Sequence, residues 1–268
     1  MATQAGTDRA KLGHAIESVS GQIAAMVKDL PDTNIPIPKA DWTVGEAAAH
    51  VSDAQRLMSR LAAGEQVPHG DGTPGSLEHA NRGALAANPE RNGATLASSI
   101  VDNTQNFLRL ASALPASREV ISPMGRMDAE TLYSYMLTHL LSHGFPMGIA
   151  LNRPLVVDKS VAELTLPFIK WSMPKIVDTK AAGNLKAIYQ VQMRGGPRFW
   201  VKLDKGTATV HDKRPGRVDC FISANPLSFI QVGFRFKSQW PQIAQGKLFA
   251  WGLKPWLAFR FAGLFLPP

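Results

Sequence analysis

The chain has 268 residues, 45% hydrophobic and 19% charged, which is ordinary globular composition and enough length for two domains. Its single cysteine, Cys220, excludes an intramolecular disulfide framework and a cysteine-rich zinc ribbon, and fits a reducing, cytoplasmic setting. The formal charge of +8 is uneven: residues 1–150 hold 11 Lys/Arg against 15 Asp/Glu, and residues 151–268 hold 18 against 6.

A basic second half suits anionic small molecules, an anionic membrane surface or nucleic acid, or is simply a solvated face. No nucleic-acid module motif accompanies it, so a small-molecule substrate, hydrophobic or anionic, is the expected partner. The opening "MATQAGTDRAKLGHA" lacks a continuous apolar run of the signal-peptide kind. The closing "WLAFRFAGLFLPP" is too short to span a bilayer and contains Arg260.

Helical periodicity dominates the first 150 residues. Residues 8–30 form a first helix, ended by the proline-rich "PDTNIPIPKAD". Residues 43–65 form a second, opened by the capping box Thr43-x-x-Glu46. A loop, "QVPHGDGTPGS", precedes a third helix over 92–114, and a fourth covers 128–152 with Asp128 as N-cap. Four helices with short to medium loops give an all-α four-helix bundle over residues 1–152.

From residue 153 the pattern changes. Residues 159–177 read as a connecting helix broken near Pro174. Period-two runs follow at 187–193, 198–204, 207–212 and 218–223, with Asp204-Lys205-Gly206 as a hairpin turn. Helical segments then return at 226–234, within 240–252 and around 255–265. Residues 153–268 are therefore expected to form an α+β domain with a small sheet.

The stretch "MLTHLLSHGF" carries His139 and His143 four residues apart in an apolar run. At 100° per residue both lie within about 60° of Leu132 and Met136, the apolar face. In the second helix His50 falls inside the arc of Ala47, Val51, Ala54, Leu57, Met58 and Leu61. A buried, unpartnered imidazole costs about 1–3 kcal/mol, so three inward histidines need an explanation. They are either core histidines bonded to hydroxyls and carbonyls, or ligands of a divalent metal. Three protein ligands leave an open position, the catalytic rather than the structural pattern. The zinc-protease motif HExxH is absent. Asp53, Tyr133 and Tyr135 are candidates to support the ligands from behind. No further catalytic side chain and no oligomeric state follow from the sequence.

"DWTVGEAAAHVSDAQRLMSRLAAGE" resembles the second helix of the DinB-like superfamily, and more narrowly that of the mycothiol-dependent maleylpyruvate isomerase amino-terminal domain. "MLTHLLSHGFPMGIALNRP" resembles the fourth helix, which carries that family's other two ligands. The resemblance covers residues 8–153 and implies that His50, His139 and His143 bind a metal, zinc foremost, with nickel, iron or manganese as alternatives. It also implies a low-molecular-weight thiol such as mycothiol as co-substrate. One position departs from the isomerase pattern: His139 stands where those enzymes place Glu, giving the three-histidine set usual in the wider group. The exchange raises the site's net charge by one, which makes a bound water more acidic.

"DCFISANPLSFIQVGF" and "IAQGKLFAWGLKPWLAFRFAGLF" resemble the sterol carrier protein type 2 fold over residues 160–268. That family has a five-stranded sheet and helices around an apolar tunnel, and bacterial multidomain proteins often use it as an accessory. Phe229, Phe234, Trp251, Trp256 and Phe259 are the residues expected to line such a tunnel. Together the resemblances imply a metal-dependent isomerase or transferase with an accessory apolar-ligand domain. A non-catalytic lipid or acyl-ligand binding protein and a metal-dependent hydrolase are the alternatives.

Overall fold

The computed structural model describes residues 2–266, and the chain divides into two compact units, one up to Val156 and one from Val157 onward. The first is helix-rich, the second is built on a five-stranded sheet.

In the first unit, α1 (Ala2–Val27), α2 (Val44–Ala62), α4 (Gly93–Ser112) and α5 (Ala129–Ala150) are the long helices, and α3 (Pro74–Ala87) is shorter. Pairwise packing joins α2 to α4, α1 to α4 and α5, and α2 to α5. The apolar period dictates this. Leu12, Ile16, Val19 and Ile23 of α1 and Leu132, Met136, Leu137 and Leu140 of α5 are buried. The helix starts follow local rules: the Glu46 amide donates to Thr43 Oγ1 at 3.2 Å while Glu46 Oε2 accepts from the Thr43 amide at 2.8 Å. Asp128 caps α5 by accepting from the Thr131 amide at 2.7 Å. One buried polar link crosses the core: Gln55 Nε2 of α2 donates to Ser20 Oγ of α1 at 3.1 Å and to Thr104 Oγ1 of α4 at 2.7 Å.

Two elements correct the expectation of an all-α unit of four helices. A two-stranded antiparallel hairpin, β1 (Glu119–Ser122) and β2 (Gly125–Asp128), precedes α5. Only Val120 and Met127, directly opposite each other, bury apolar side chains, so a four-residue ladder offers no readable period. Its turn is closed by Ser122 Oγ donating to the Gly125 carbonyl at 2.8 Å, with Gly125 at φ +107°. Second, α3 begins inside the glycine-rich loop at the cap Thr73, and its small, polar sequence has no apolar stripe to announce it.

Gly93 opens α4 against the end of α1, where a Cβ would stand 2.1 Å from the Val27 carbonyl oxygen. Backbone cannot yield as a flexible side chain can. Gly93→Ala is expected to cost about 2 kcal/mol or more, at the upper part of the overpacking range, as read by urea unfolding. An unchanged midpoint would show that the contact relaxes freely.

In the second unit the sheet order is β5-β4-β3-β6-β7, with β3 (Lys186–Met193), β4 (Arg198–Asp204), β5 (Thr207–His211), β6 (Cys220–Ala224) and β7 (Leu248–Trp251). β3 pairs antiparallel with β4 and parallel with β6; β4–β5 and β6–β7 are antiparallel. The β4–β5 turn carries Lys205 at φ 48° and Gly206 at φ 80°, the double left-handed geometry of a tight hairpin. One sheet face, with Ala187, Tyr189, Val191, Phe199, Val201, Leu203, Cys220 and Ile222, is buried in a continuous apolar core. Short helices α6 (Lys159–Glu163), α7 (Leu166–Ser172), α8 (Thr179–Ala182), α9 (Pro226–Gly233) and α10 (Gln239–Ala244) complete the unit.

Here too the expectations need correction. The connecting helix breaks near Pro174 as expected, since α7 ends at Ser172, but it also breaks at Leu164–Thr165, and Pro167 falls in the first turn of α7, where a missing N–H costs nothing. The stretch 240–252 holds only one short helix, and Leu248–Trp251 is a strand. The final segment is two 3-10 turns, Pro255–Arg260 and Ala262–Leu264, not an α-helix.

Candidate metal centre

His50 comes from the second turn of α2, and His139 and His143 from the middle of α5, two helices that pack together. One ring nitrogen of each lies within 4.8 Å of those of the other two. The ring centroids are 5.0 Å (His50–His139), 4.7 Å (His50–His143) and 4.5 Å (His139–His143) apart. His50 is buried, and the α5 pair is partly accessible. His50 Nε2 and His139 Nε2 face each other at 3.1 Å, and the buried His139 Nδ1 has no hydrogen-bond partner. Whichever tautomer is chosen, one ring atom of His139 is unserved.

All three imidazoles hold their pKa well below the ordinary histidine value. Burial is the main cause for each; the secondary causes are His143 and His69 for His50, His50 for His139, and His139 for His143. The cluster is therefore neutral at pH 7, with ring lone pairs available. A shared ion with bonds of about 2.1 Å asks for ligand atoms about 3–4 Å apart. The set, within 4.8 Å, reaches this with a ring adjustment of about 1 Å, so the residues fit a metal. Imidazole donors suit zinc, nickel, copper or iron rather than magnesium or calcium.

The supporting candidates part company. Tyr133 and Tyr135 are two residues apart, hence about 200° apart around the helix, and cannot serve one face. Tyr135, at i−4 from His139, sets its ring edge-on to that imidazole at 6.3 Å. Burial pushes its phenol up to about 12, so it stays protonated. Tyr133 instead lies under the Arg9 guanidinium, 5.2 Å from its ring, and against Phe107. Asp53 is engaged elsewhere: its carboxylate accepts from Arg56 at 2.7 Å and from Asn88 at 3.0 and 3.1 Å, tying α2 to the segment after α3.

Two residues not singled out as site residues belong to the surroundings. Trp42, just before the Thr43 cap, stacks on His143 at 5.6 Å and 7°, and stands edge-on to His50 at 4.8 Å. Its place in "DWT", immediately ahead of a helix whose second turn bears a histidine, was the available signal. His69, in the loop before α3, bonds Asn81 at 2.8 Å and, after burial and His143, is the third cause of the lowered His50 pKa. An open groove of about 460 Å³ lies away from this centre, lined by Leu61, Glu65, Leu114, Arg118, Ile121 and Arg126 among others. Leu61 is roughly 16 Å along α2 from His50.

In the second unit Phe229 packs against Phe199 at 6.3 Å and Phe234 against Phe236 at 5.7 Å, both partly buried on the core. Trp251, Trp256 and Phe259 are exposed.

Fold and site thus define a helical unit with a partly buried three-histidine centre, in one chain with an open-sheet α+β unit. Residues 16–144, most of the helical unit, match the family model described as the mycothiol maleylpyruvate isomerase N-terminal domain. Among solved structures, a histidine-to-alanine mutant of the mycothiol-dependent maleylpyruvate isomerase aligns with a TM-score of 0.52 at 14% identity, covering 84% of this chain and 87% of that one. The unmutated isomerase aligns at 0.47 with the same identity and coverage. A UbiJ-SCP2 ubiquinone synthesis protein matches 40% of this chain and 90% of its own at 17% identity, with a TM-score of 0.29. At such identities the first of these likenesses speaks to the fold. No curated protein matches the chain. Among the described residues no helix is long and apolar enough to cross a membrane.

Proposed function

We propose that the protein is a metal-dependent enzyme of the DinB-like type, acting on a small molecule in a thiol-linked isomerisation or transfer. The observation that carries this reading is the convergence of His50, His139 and His143, neutral and from two packed helices, with ligand atoms within 4.8 Å. The match of residues 16–144 to the isomerase domain family supports it. Zinc is the first choice of ion, with nickel or iron compatible with the same donors. When bound, such an ion supplies Lewis-acid polarisation and lowers the pKa of a thiol or water beside it.

The chain's own groups do the rest. The three imidazoles present lone pairs without first losing protons. Trp42 covers the flank of His143 and His50 and keeps water from that side. Tyr135, still protonated at neutral pH, is suited to donating a hydrogen bond and not to acting as a base. The only cysteine, Cys220, is fully buried in the other unit with its thiol pushed up to about 11, so the chain brings no reactive thiol of its own. Thiol chemistry here needs a diffusible co-substrate, and mycothiol is the first to try. The second unit is read as a sterol carrier protein type 2-like accessory, on the strength of its five-stranded sheet flanked by short helices.

The test is cobalt-substituted protein titrated with mycothiol, followed by maleylpyruvate. A new thiolate-to-cobalt absorption and thiol-dependent loss of maleylpyruvate are expected. Neither band nor turnover would overturn the thiol reading, and turnover without any thiol would favour a hydrolase.

A further inference from the structure

The second unit's exposed apolar side chains are unevenly placed. Its large exposed hydrophobic residues are Trp240, Phe249, Trp251, Leu253, Trp256 and Phe259, exposed by 59, 62, 41, 50, 59 and 49%. All six fall within the single stretch 240–260, across α10, β7 and the first 3-10 turn. They form aromatic clusters outside the core: Trp251 stacks on Phe221 at 5.4 Å and on Phe249 at 5.8 Å, and Trp240 meets Phe259 at 5.3 Å. The interior is already filled by Tyr189, Phe199, Val191, Leu203 and their neighbours. These rings are therefore surplus to packing.

The same stretch is purely cationic. From residue 220 to the end the chain carries Arg235, Lys237, Lys247, Lys254 and Arg260 and no Asp or Glu. All five are exposed. Lys237 and Lys247 flank α10, and Lys247 directly precedes β7.

We propose that this aromatic and cationic face docks on the surface of an anionic phospholipid bilayer. Indole and phenyl rings partition to the headgroup boundary, and lysines beside them attract acidic lipid. Asp219 stands beside this face but is ion-paired with Lys254 at 2.9 Å, which leaves Lys237 and Lys247 to meet an anionic surface. A second copy of the chain fits less well, because a twofold contact through this face would set cations against cations. The protein would lie on the membrane without crossing it.

The test uses the full chain with vesicles of phosphatidylcholine containing 30% phosphatidylserine (about the acidic fraction that gives a surface potential of tens of millivolts). Co-sedimentation is expected, with tryptophan quenching when the lipid chains are brominated. Pure phosphatidylcholine, or roughly 0.5 M salt, should weaken binding at least about tenfold. The double variant Lys237→Ala/Lys247→Ala should bind about twentyfold more weakly, from roughly fivefold per cation. Phe249→Ser/Trp256→Ser should lose the brominated-lipid quenching. Thermal melts check that each variant is folded, and the lysine pair alone tests the proposal should the aromatic pair fail to fold. No binding to the anionic vesicles, or binding indifferent to salt and to both pairs, overturns it. So does a lipid-free dimer that the aromatic pair abolishes, which would assign the face to a second copy.

Discussion

Protein purified, stripped and reloaded with zinc or nickel will hold one ion per chain, and the His50→Ala/His139→Ala/His143→Ala variant will hold none. Each single alanine removes one of three donors. It should cost more than the 10–100-fold typical of residues that merely support a ligand, hence about a hundredfold or more. Linkage gives a second readout. Free metal at a hundred times its Kd stabilises the folded chain by about 2.7 kcal/mol. For a unit of this size that raises Tm by about 5–10 °C, at roughly 2–4 °C per kcal/mol. The triple variant should show no such rise. Stoichiometric metal retained by the triple variant, measured by elemental analysis, would sink the assignment.

Without metal, stability will fall steeply in mild acid. The folded-state pKa of each of the three histidines is depressed, burial being the largest cause. Their unfolded value is near 6.5. Above that pH neither state is protonated and the stability is fully present. As pH falls below it, the unfolded chain takes up protons that the folded chain refuses, and stability is lost until the folded pKa is passed. With three such groups the slope reaches about 4 kcal/mol per pH unit at its steepest, at 1.36 per proton. Urea unfolding at about pH 7.5, 6.5 and 5.5, chosen to straddle the unfolded value, measures it. The triple alanine variant should lose most of that slope. An equal slope in both proteins would mean that the imidazoles accept protons in place.

Legibility in the sequence followed how much each element owes to its own residues. α2 and α5 could be bounded because Thr43, Glu46 and Asp128 satisfy the helix starts locally. The meeting of His50, His139 and His143 was legible because 3.6-residue periodicity fixes which way α2 and α5 point them, and short loops leave the helices little choice but to pack. β3 and β4 were legible because alternate residues are buried or face a neighbouring strand. The β1–β2 hairpin and β7 were not, being four residues each and held by partners distant in sequence or by a turn. In β7 neither face is fully buried, so no alternation marks it. Tyr133 and Asp53 were drawn elsewhere by Arg9 and by Arg56 and Asn88, partners that no spacing rule reveals. Trp42 escaped notice as a site residue because its stacking depends on how the 31–43 loop folds back, through the Ile37 amide bonding the Trp42 carbonyl at 3.0 Å.

The single amide of Gln55 has a consequence for how such a bundle can change over time. It links three helices through Ser20 and Thr104. Methyl groups nearby can be exchanged one for another while neighbouring side chains repack, because dispersion has no direction. The amide has direction. Sliding either partner helix by one turn would strand a hydroxyl in the core, and replacing Ser20 or Thr104 alone would leave a donor unmet. These three positions act as a combination lock on helix register: viable descendants keep all three or replace them together with apolar residues. The walls that hold α2 against its neighbours can thus drift in volume while the height at which α2 presents His50 stays fixed.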